Sequence, residues 1–288
     1  MKKIILIIAC ILLLSSCKEQ PLVLDTSDIN VLKDNSVEFD FRIHSNAYML
    51  IDMSNFVIQY KYRNDHKIFP ASLTKVVTLD AVLNLASSLD DYSYVTYEQV
   101  EALIREDASL AYIQRDYDYT LRDLLYALIL PSGADGALAL ENYFTDRGMD
   151  LVEEMNKLCD RLGCSNTHFV NTTGLHDDDH YTSLNDLFLV VMDVLKFKEG
   201  REILESLYHT MDDGIKLATS VRVAQSSATK VLGGKTGYTP EAGQNLIVLY
   251  KSKGRSYLLM IANAYGSYAN DEYWHFEDAW NIFEHLYY

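Results

Sequence analysis

No run of basic residues appears in this chain. Its 288 residues carry 25 Lys and Arg against 41 Asp and Glu, a formal net charge of −16. Such a surface repels a phosphate backbone, which excludes nucleic acid as a partner. Cysteine is scarce, with four in all. None forms a C-x-x-C pair, so a thiolate zinc site is not indicated. No internal repeat or low-complexity tract is present. The apolar run Ile4 to Leu14 is too short to cross a bilayer as a mature helix. Tyrosine is plentiful, at 21 residues, and suits half-exposed surfaces where one end of the ring stays wet. Apolar residues at 49% and charged residues at 23% are ordinary for a globular protein with a real core.

The N-terminus has the order of an export signal. Lys2 and Lys3 precede the apolar run, which ends in Leu14-Ser15-Ser16-Cys17. Small residues before a cysteine resemble a bacterial lipobox, which implies cleavage after residue 16 and lipidation of Cys17. The division expected is a signal over 1–16, a lipidated tether over 17–40 and a catalytic domain over 41–288. The expected location is extracytoplasmic, with a lipid anchor to a bacterial membrane. Cys10 falls in the signal. Cys159 and Cys164, on either side of Gly163, read as two small buried residues, because their spacing across a helix end does not favour a disulfide.

Two alternating runs, Ala47–Met53 and Phe56–Tyr62, read as a β-hairpin. Pro70 stops the strand, and Leu73 to Leu85 has helical apolar spacing. The middle of the chain is helical over 97–105, 120–130, 135–143, 151–162, 182–195 and 201–208. Thr120 is the expected N-cap of one helix and Gly163 the stop of another. Strands return at Val231–Gly237, Asn245–Lys251 and Ser256–Ala264. A last helix, 270–288, presents Phe276, Trp280, Phe283 and Tyr287 at helical spacing. The terminal strands must pair with the first hairpin. This predicts an α+β fold: an antiparallel sheet of about five strands, flanked by helices, with a helical lobe inserted between its halves.

Ser72-Leu73-Thr74-Lys75 places a hydroxyl and an amine on one helical face. With Ser72 in the first turn, the helix dipole favours an oxyanion there. A serine hydroxyl needs a base, and Lys75 serves if burial or a second cation lowers its pKa. The spacing alone is weak, since Ser15–Lys18 and Ser227–Lys230 share it. Lys235-Thr236-Gly237, by contrast, occurs once, on a predicted strand. An edge strand there would bind an extended peptide by main-chain pairing while Lys235 and Thr236 hold its carboxylate. Between the two elements lies the turn Pro131-Ser132-Gly133-Ala134-Asp135.

Together, Pro70 to Lys75, Leu124 to Asp135 and Gly234 to Gly243 resemble the low-molecular-mass penicillin-binding proteins, serine-type D-alanyl-D-alanine carboxypeptidases with a β-lactamase/transpeptidase-like fold. Asn171-Thr-Thr-Gly-Leu-His176 and His180-Tyr-Thr-Ser183 fit that family's linker between helical lobe and sheet. The similarity covers roughly 45–285. It implies Ser72 as acylated nucleophile, Lys75 as base and Ser132 as proton relay. Lys235, Thr236, Gly237 and Tyr238 would bind substrate, with the Ser72 and Tyr238 backbone N–H groups as the oxyanion hole. The implied partners are the peptidoglycan stem peptide and β-lactams as covalent inhibitors, with no metal or cofactor. The family's second motif is usually Ser-x-Asn, and here Ala134 stands in place of the Asn. This leaves two alternatives beside the carboxypeptidase: a D,D-endopeptidase, or a catalytically weak wall-binding protein. Ser183-Leu-Asn185 matches Ser-x-Asn literally but lies in the linker-to-helix segment. Asp135 reads as structural, a cap for the next helix, and His176-Asp-Asp-Asp-His180 as a solvated loop. Arg222 has no matched motif. No general-base Glu of class A β-lactamases is recognisable, so rapid β-lactam hydrolysis is not expected. Relatives often end in a stalk and an amphipathic anchor, and lipid on Cys17 is expected to replace that anchor.

Overall fold

The computed structural model describes residues 33–34, 41–227, 229–266 and 268–285. Residues 1–16, Cys17 and most of the range read as a tether lie outside the described residues. In chain order the strands are β1 (Lys33–Asp34), β2 (Ser45–Asp52), β3 (Val57–Tyr62), β4 (Tyr92–Ser93), β5 (Tyr119–Thr120), β6 (Tyr208–Thr210), β7 (Lys216–Ala218), β8 (Lys230–Thr239), β9 (Gly243–Ser252) and β10 (Arg255–Ala264). The helices are α1 (Thr74–Leu85), α2 (Tyr97–Arg105), α3 (Leu121–Ile129), α4 (Ala134–Thr145), α5 (Leu151–Leu162), α6 (Leu184–Val194), α7 (Lys198–Leu204) and α8 (Trp274–His285).

The main sheet runs in the order β1-β3-β2-β10-β9-β8. The five strands read from the sequence pair antiparallel, so the N-terminal hairpin meets the C-terminal strands through β2 and β10. A two-residue strand adds to the edge: β1 pairs parallel with Val57 and Ile58 of β3, inside the range read as tether. Side chains alternate along each strand, and both faces are covered. Met49, Ile51, Ile247, Leu249, Leu258 and Met260 join the core shared with the helical lobe. Tyr48, Leu50, Leu246, Val248, Leu259 and Ile261 pack on the opposite face, where α8 brings Phe276, Ile282 and Phe283. Burial on both sides is why β9 and β10 read as unbroken apolar runs. The Phe283 ring lies 4.1 Å from that of Tyr250, and truncating such a buried phenylalanine costs about 3–5 kcal/mol. Tyr287 lies outside the described residues.

Helices α1 to α7 and two small hairpin-like pairs form the insertion between β3 and β8. Local capping sets several bounds. The Thr120 side chain accepts from Asp123 N at 3.1 Å to open α3. Gly163 closes α5 in a left-handed conformation, with Cys164 N donating to Cys159 O at 2.9 Å. Cys159 is buried and Cys164 half-buried, both as free thiols. Helix α6 starts at Leu184, after the expected 182, because Ser183 is its N-cap and Thr182 pairs with Ile68. The helix expected over 201–208 spans Lys198–Leu204 instead. Tyr208 belongs to β6, which pairs with β7 across a turn closed by Gly214 N donating to Met211 O.

Candidate active site

Pro70 ends the approach from β3, and Ala71–Leu73 forms a single 3-10 turn that leads into α1. Ser72 therefore lies in the turn just before the helix, where the expectation was the helix's own first turn. The helix's positive end still faces it. Lys75, one residue into α1, is 2% exposed, and its Nζ lies 3.1 Å from Ser72 Oγ. The same amine donates to the backbone carbonyl of Thr173. Burial drives the Lys75 pKa down to about 7, opposed by the charge of Asp135. A lysine in that range is partly neutral at neutral pH, and the neutral amine accepts a proton from an adjacent hydroxyl.

The edge strand β8 supplies the second group. Lys235 is buried, and its Nζ donates to Thr236 O at 2.8 Å. Burial holds its pKa well below the usual lysine value, and repulsion from Lys75 lowers it further. An arriving carboxylate acts in the opposite sense and favours the ammonium. Thr236 Oγ1 lies 2.6 Å from Ser220 Oγ. Gly237 is required by a close approach: a Cβ there would sit 2.9 Å from Pro70 O and 3.2 Å from Ser72 N. This contact places β8 directly against the Ser72 turn. Tyr238 follows, exposed, its ring edge-on to Tyr268 at 4.8 Å.

The third element is the turn between α3 and α4. Ser132 has a left-handed backbone, φ 66°, and its buried Oγ has no hydrogen-bond partner among the described residues. Ala134 is 1% exposed, and its N–H donates to Ser109 O at 2.8 Å. Asp135 does not cap α4, whose N-cap is Gly133. Its carboxylate accepts from Ala111 N at 2.8 Å, Ile113 N at 3.2 Å and Gly136 N at 3.0 Å, which ties the 111–113 segment to the turn. Burial raises its pKa, opposed by those same bonds. Its charge acts on Lys75 in the sense that raises the lysine pKa.

Other sequence candidates resolve differently. Ser183 caps α6, and Asn185 Oδ1 accepts from Asn64 Nδ2 at 2.6 Å, which gives both a structural role. Arg222 donates to Thr219 O at 3.1 Å in the 3-10 turn before β8. Asp177 to Asp179 are exposed as expected of a solvated loop, but His180 is not: it is 2% exposed. Several residues at the site were not singled out from the sequence. Asn245 Nδ2 donates to Phe69 O at 2.9 Å and Pro70 O at 3.1 Å, clamping the segment that leads into Ser72 to β9. Thr173 receives Lys75, and Ser220 meets Thr236. The Asn171-Thr-Thr-Gly-Leu motif was the available signal for Thr173. Its Gly174 (φ 82°) lies so close to Ala71 that a Cβ would come within 2.0 Å of the Ala71 carbonyl oxygen.

A family model described as D-alanyl-D-alanine carboxypeptidase matches residues 33–265. D-alanyl-D-alanine carboxypeptidase DacF of Bacillus subtilis is 26% identical over 204 residues, covering 67% of this chain and 51% of the relative. DacA of Haemophilus influenzae is 26% identical over 236 residues, covering 80% and 60%. The chain thus spans about half the length of the curated relatives it matches. Among solved structures, the Streptomyces K15 DD-transpeptidase superposes with a TM-score of 0.73 at 21% identity, covering 85% of this chain and 98% of that one. Penicillin-binding protein D2 from Listeria monocytogenes, in its ampicillin-bound form, superposes at 0.70 with 26% identity, covering 86% and 98%. The sheet with its inserted helical lobe is therefore the fold of the DD-peptidases, and the chain belongs to the D-alanyl-D-alanine carboxypeptidase family.

Proposed function

We propose that this protein is a serine-type D-Ala-D-Ala carboxypeptidase that removes the terminal D-Ala from peptidoglycan stem peptides through an acyl-enzyme on Ser72. One observation carries the reading: a buried lysine amine, with a pKa of about 7, lies 3.1 Å from the Ser72 hydroxyl. Neutral Lys75 takes the Ser72 proton as Oγ attacks the carbonyl of the penultimate D-Ala. The Ser72 and Tyr238 backbone N–H groups receive the oxyanion, supported by the helix dipole. Lys75 returns the Ser72 proton by way of the Ser132 hydroxyl, which hands its own proton to the leaving amine; the C–N bond breaks, D-Ala departs, and both Ser132 and a neutral Lys75 are restored. Water then attacks the ester with Lys75 again as base. Lys235 and Thr236 hold the terminal carboxylate, with Gly237 admitting the substrate backbone close to β8.

β-Lactams would acylate the same serine, and the Listeria relative's ampicillin-bound form supports this. The endopeptidase and weak-binder readings are less well supported, since Lys75 and Ser72 are in contact and the relatives are named as carboxypeptidases. Residues 41–288 are the catalytic domain in this reading. The order Lys2-Lys3, apolar run and Cys17 supports export and a lipid anchor. No helix among the described residues is long and apolar enough to cross a membrane.

Incubation with a fluorescent penicillin tests the acyl-enzyme: the parent is expected to label covalently and Ser72→Ala not at all. A parent that takes no label would sink the reading. Release of D-Ala from a pentapeptide separates a carboxypeptidase from a protein that only binds. Incorporation of labelled palmitate, lost in Cys17→Ala, tests the anchor.

A further inference from the structure

We propose that His180 is a positioning residue that acts through Thr74 to hold the Ala71–Ser72 peptide plane, and with it the Ser72 N–H of the oxyanion hole. The inference rests on the acyl-transfer reading above. It starts from a hydrogen-bond chain whose directions are set. Val170 N–H donates to His180 Nδ1 at 3.1 Å. That nitrogen is therefore an acceptor, so in the neutral ring the proton sits on Nε2. Nε2–H then donates to Thr74 Oγ1 at 2.7 Å, and the Thr74 hydroxyl donates to Ala71 O at 2.8 Å. The ring is 2% exposed, Thr74 fully buried, and the Phe169 ring packs edge-on to His180 at 5.2 Å. Burial lowers the His180 pKa to about 4, which keeps the ring neutral and this tautomer intact.

The chain ends on a strained backbone. Ala71 has φ 48°, a left-handed conformation that an L-residue with a Cβ keeps only when its surroundings hold it. Its carbonyl and the Ser72 N–H belong to one planar trans peptide and point to opposite sides. A carbonyl pinned inward by Thr74 fixes the N–H outward. The Thr74 backbone N–H donates to the same carbonyl, so losing the hydroxyl removes one of its two bonds and lets the strained plane tilt toward relief of Ala71, which turns the oxyanion donor off line. His180 holds the rotor of that hydroxyl: by donating to its oxygen, the ring leaves the Thr74 proton to the carbonyl.

The test compares isosteric pairs by acylation with a fluorescent penicillin and by affinity for a peptide boronic acid, whose tetrahedral adduct puts an oxygen in the oxyanion hole. Removing an oxyanion donor outright costs about 10²–10³ in rate. Thr74→Val and His180→Phe are expected to acylate at least about tenfold more slowly and to lose boronate affinity in parallel. Thr74→Ser and His180→Gln, which keep the hydroxyl and a donor, are expected to recover most of both. Thr74→Val acylating as fast as Thr74→Ser would overturn the proposal, as would a loss of rate with boronate affinity intact. Should His180→Phe fail to fold, the Thr74 pair decides. Should the parent take no penicillin, the functional reading has failed, and the ¹³C shift of the Ala71 carbonyl decides this proposal separately. A shift that moves in Thr74→Val supports the hydrogen-bond chain, and an unchanged one overturns it.

Discussion

In the proposed mechanism, lowering the pH strips the site of its base. A lysine with an ordinary pKa of 10.5 is neutral in only about one molecule in 3,000 at pH 7. Lys75, brought down to about 7 by burial, is neutral in about half, a gain of about 1,500-fold in competent base. Moving the group that far disfavours its ammonium form by about 5 kcal/mol. The sign follows from the role: the base must be neutral, so acylation falls as protons are added. Measured with subsaturating fluorescent penicillin, which reports the free enzyme, the rate is expected to drop to about one-tenth of its plateau at pH 6 and about one-hundredth at pH 5. It levels off above pH 7, once Lys75 is neutral. Asp135 supplies an internal check. Its charge favours the ammonium of Lys75, so Asp135→Asn is expected to move the acid midpoint lower. A profile flat from pH 5 to 8, or a midpoint near 10, would refute Lys75 as the base.

Ala134→Asn, restoring a donor and acceptor at the second motif, is expected to speed acylation by about ten- to a hundredfold if it regains one charge-assisted bond of about 1.5–3 kcal/mol; D-Ala release from a pentapeptide measures it, and an unchanged rate counts against any role for that position. Gly174→Ala drives a Cβ to 2.0 Å from the Ala71 carbonyl at φ 82°. It is expected to cost about 1–3 kcal/mol in urea unfolding and to slow penicillin acylation, whereas a variant with parent stability and rate would show that the loop does not brace the turn. Asn245→Ala removes the bonds to Phe69 O and Pro70 O and leaves Asn263 N–H without its acceptor. At this fully buried position the loss is expected to be about 2–4 kcal/mol, read by thermal denaturation, and a change under about 0.5 kcal/mol contradicts the clamp.

Much of the fold was legible because its signals are local. Strands β9 and β10 announced themselves as apolar runs, and helices α2 and α5 fell at the bounds expected from spacing and caps. Ser72, Lys75, Ser132 and Lys235 stood out through motif order. The small hairpin β6–β7 was missed, because three-residue strands carry no period long enough to distinguish them from a helix tail. His180 was read with its polar neighbours as a solvated loop, since nothing local tells a buried histidine from an exposed one. Ser220 and Asn245 could not be linked to Thr236 and Pro70, because those contacts join segments far apart in the chain.

The sequence by itself determined which chemical groups exist and their order: a serine, two lysines, a second hydroxyl, and glycines where backbones must touch. It also determined that Ala134 replaces an amide. Only the tertiary structure decided what those groups are worth. The Lys75 amine is brought down to a pKa of about 7 because folding removes it from water, and desolvation belongs to the assembled core, not to the residue. The Ser72 turn meets β8 because Gly237 has no Cβ to keep it away, a fit that exists only once both segments are in place.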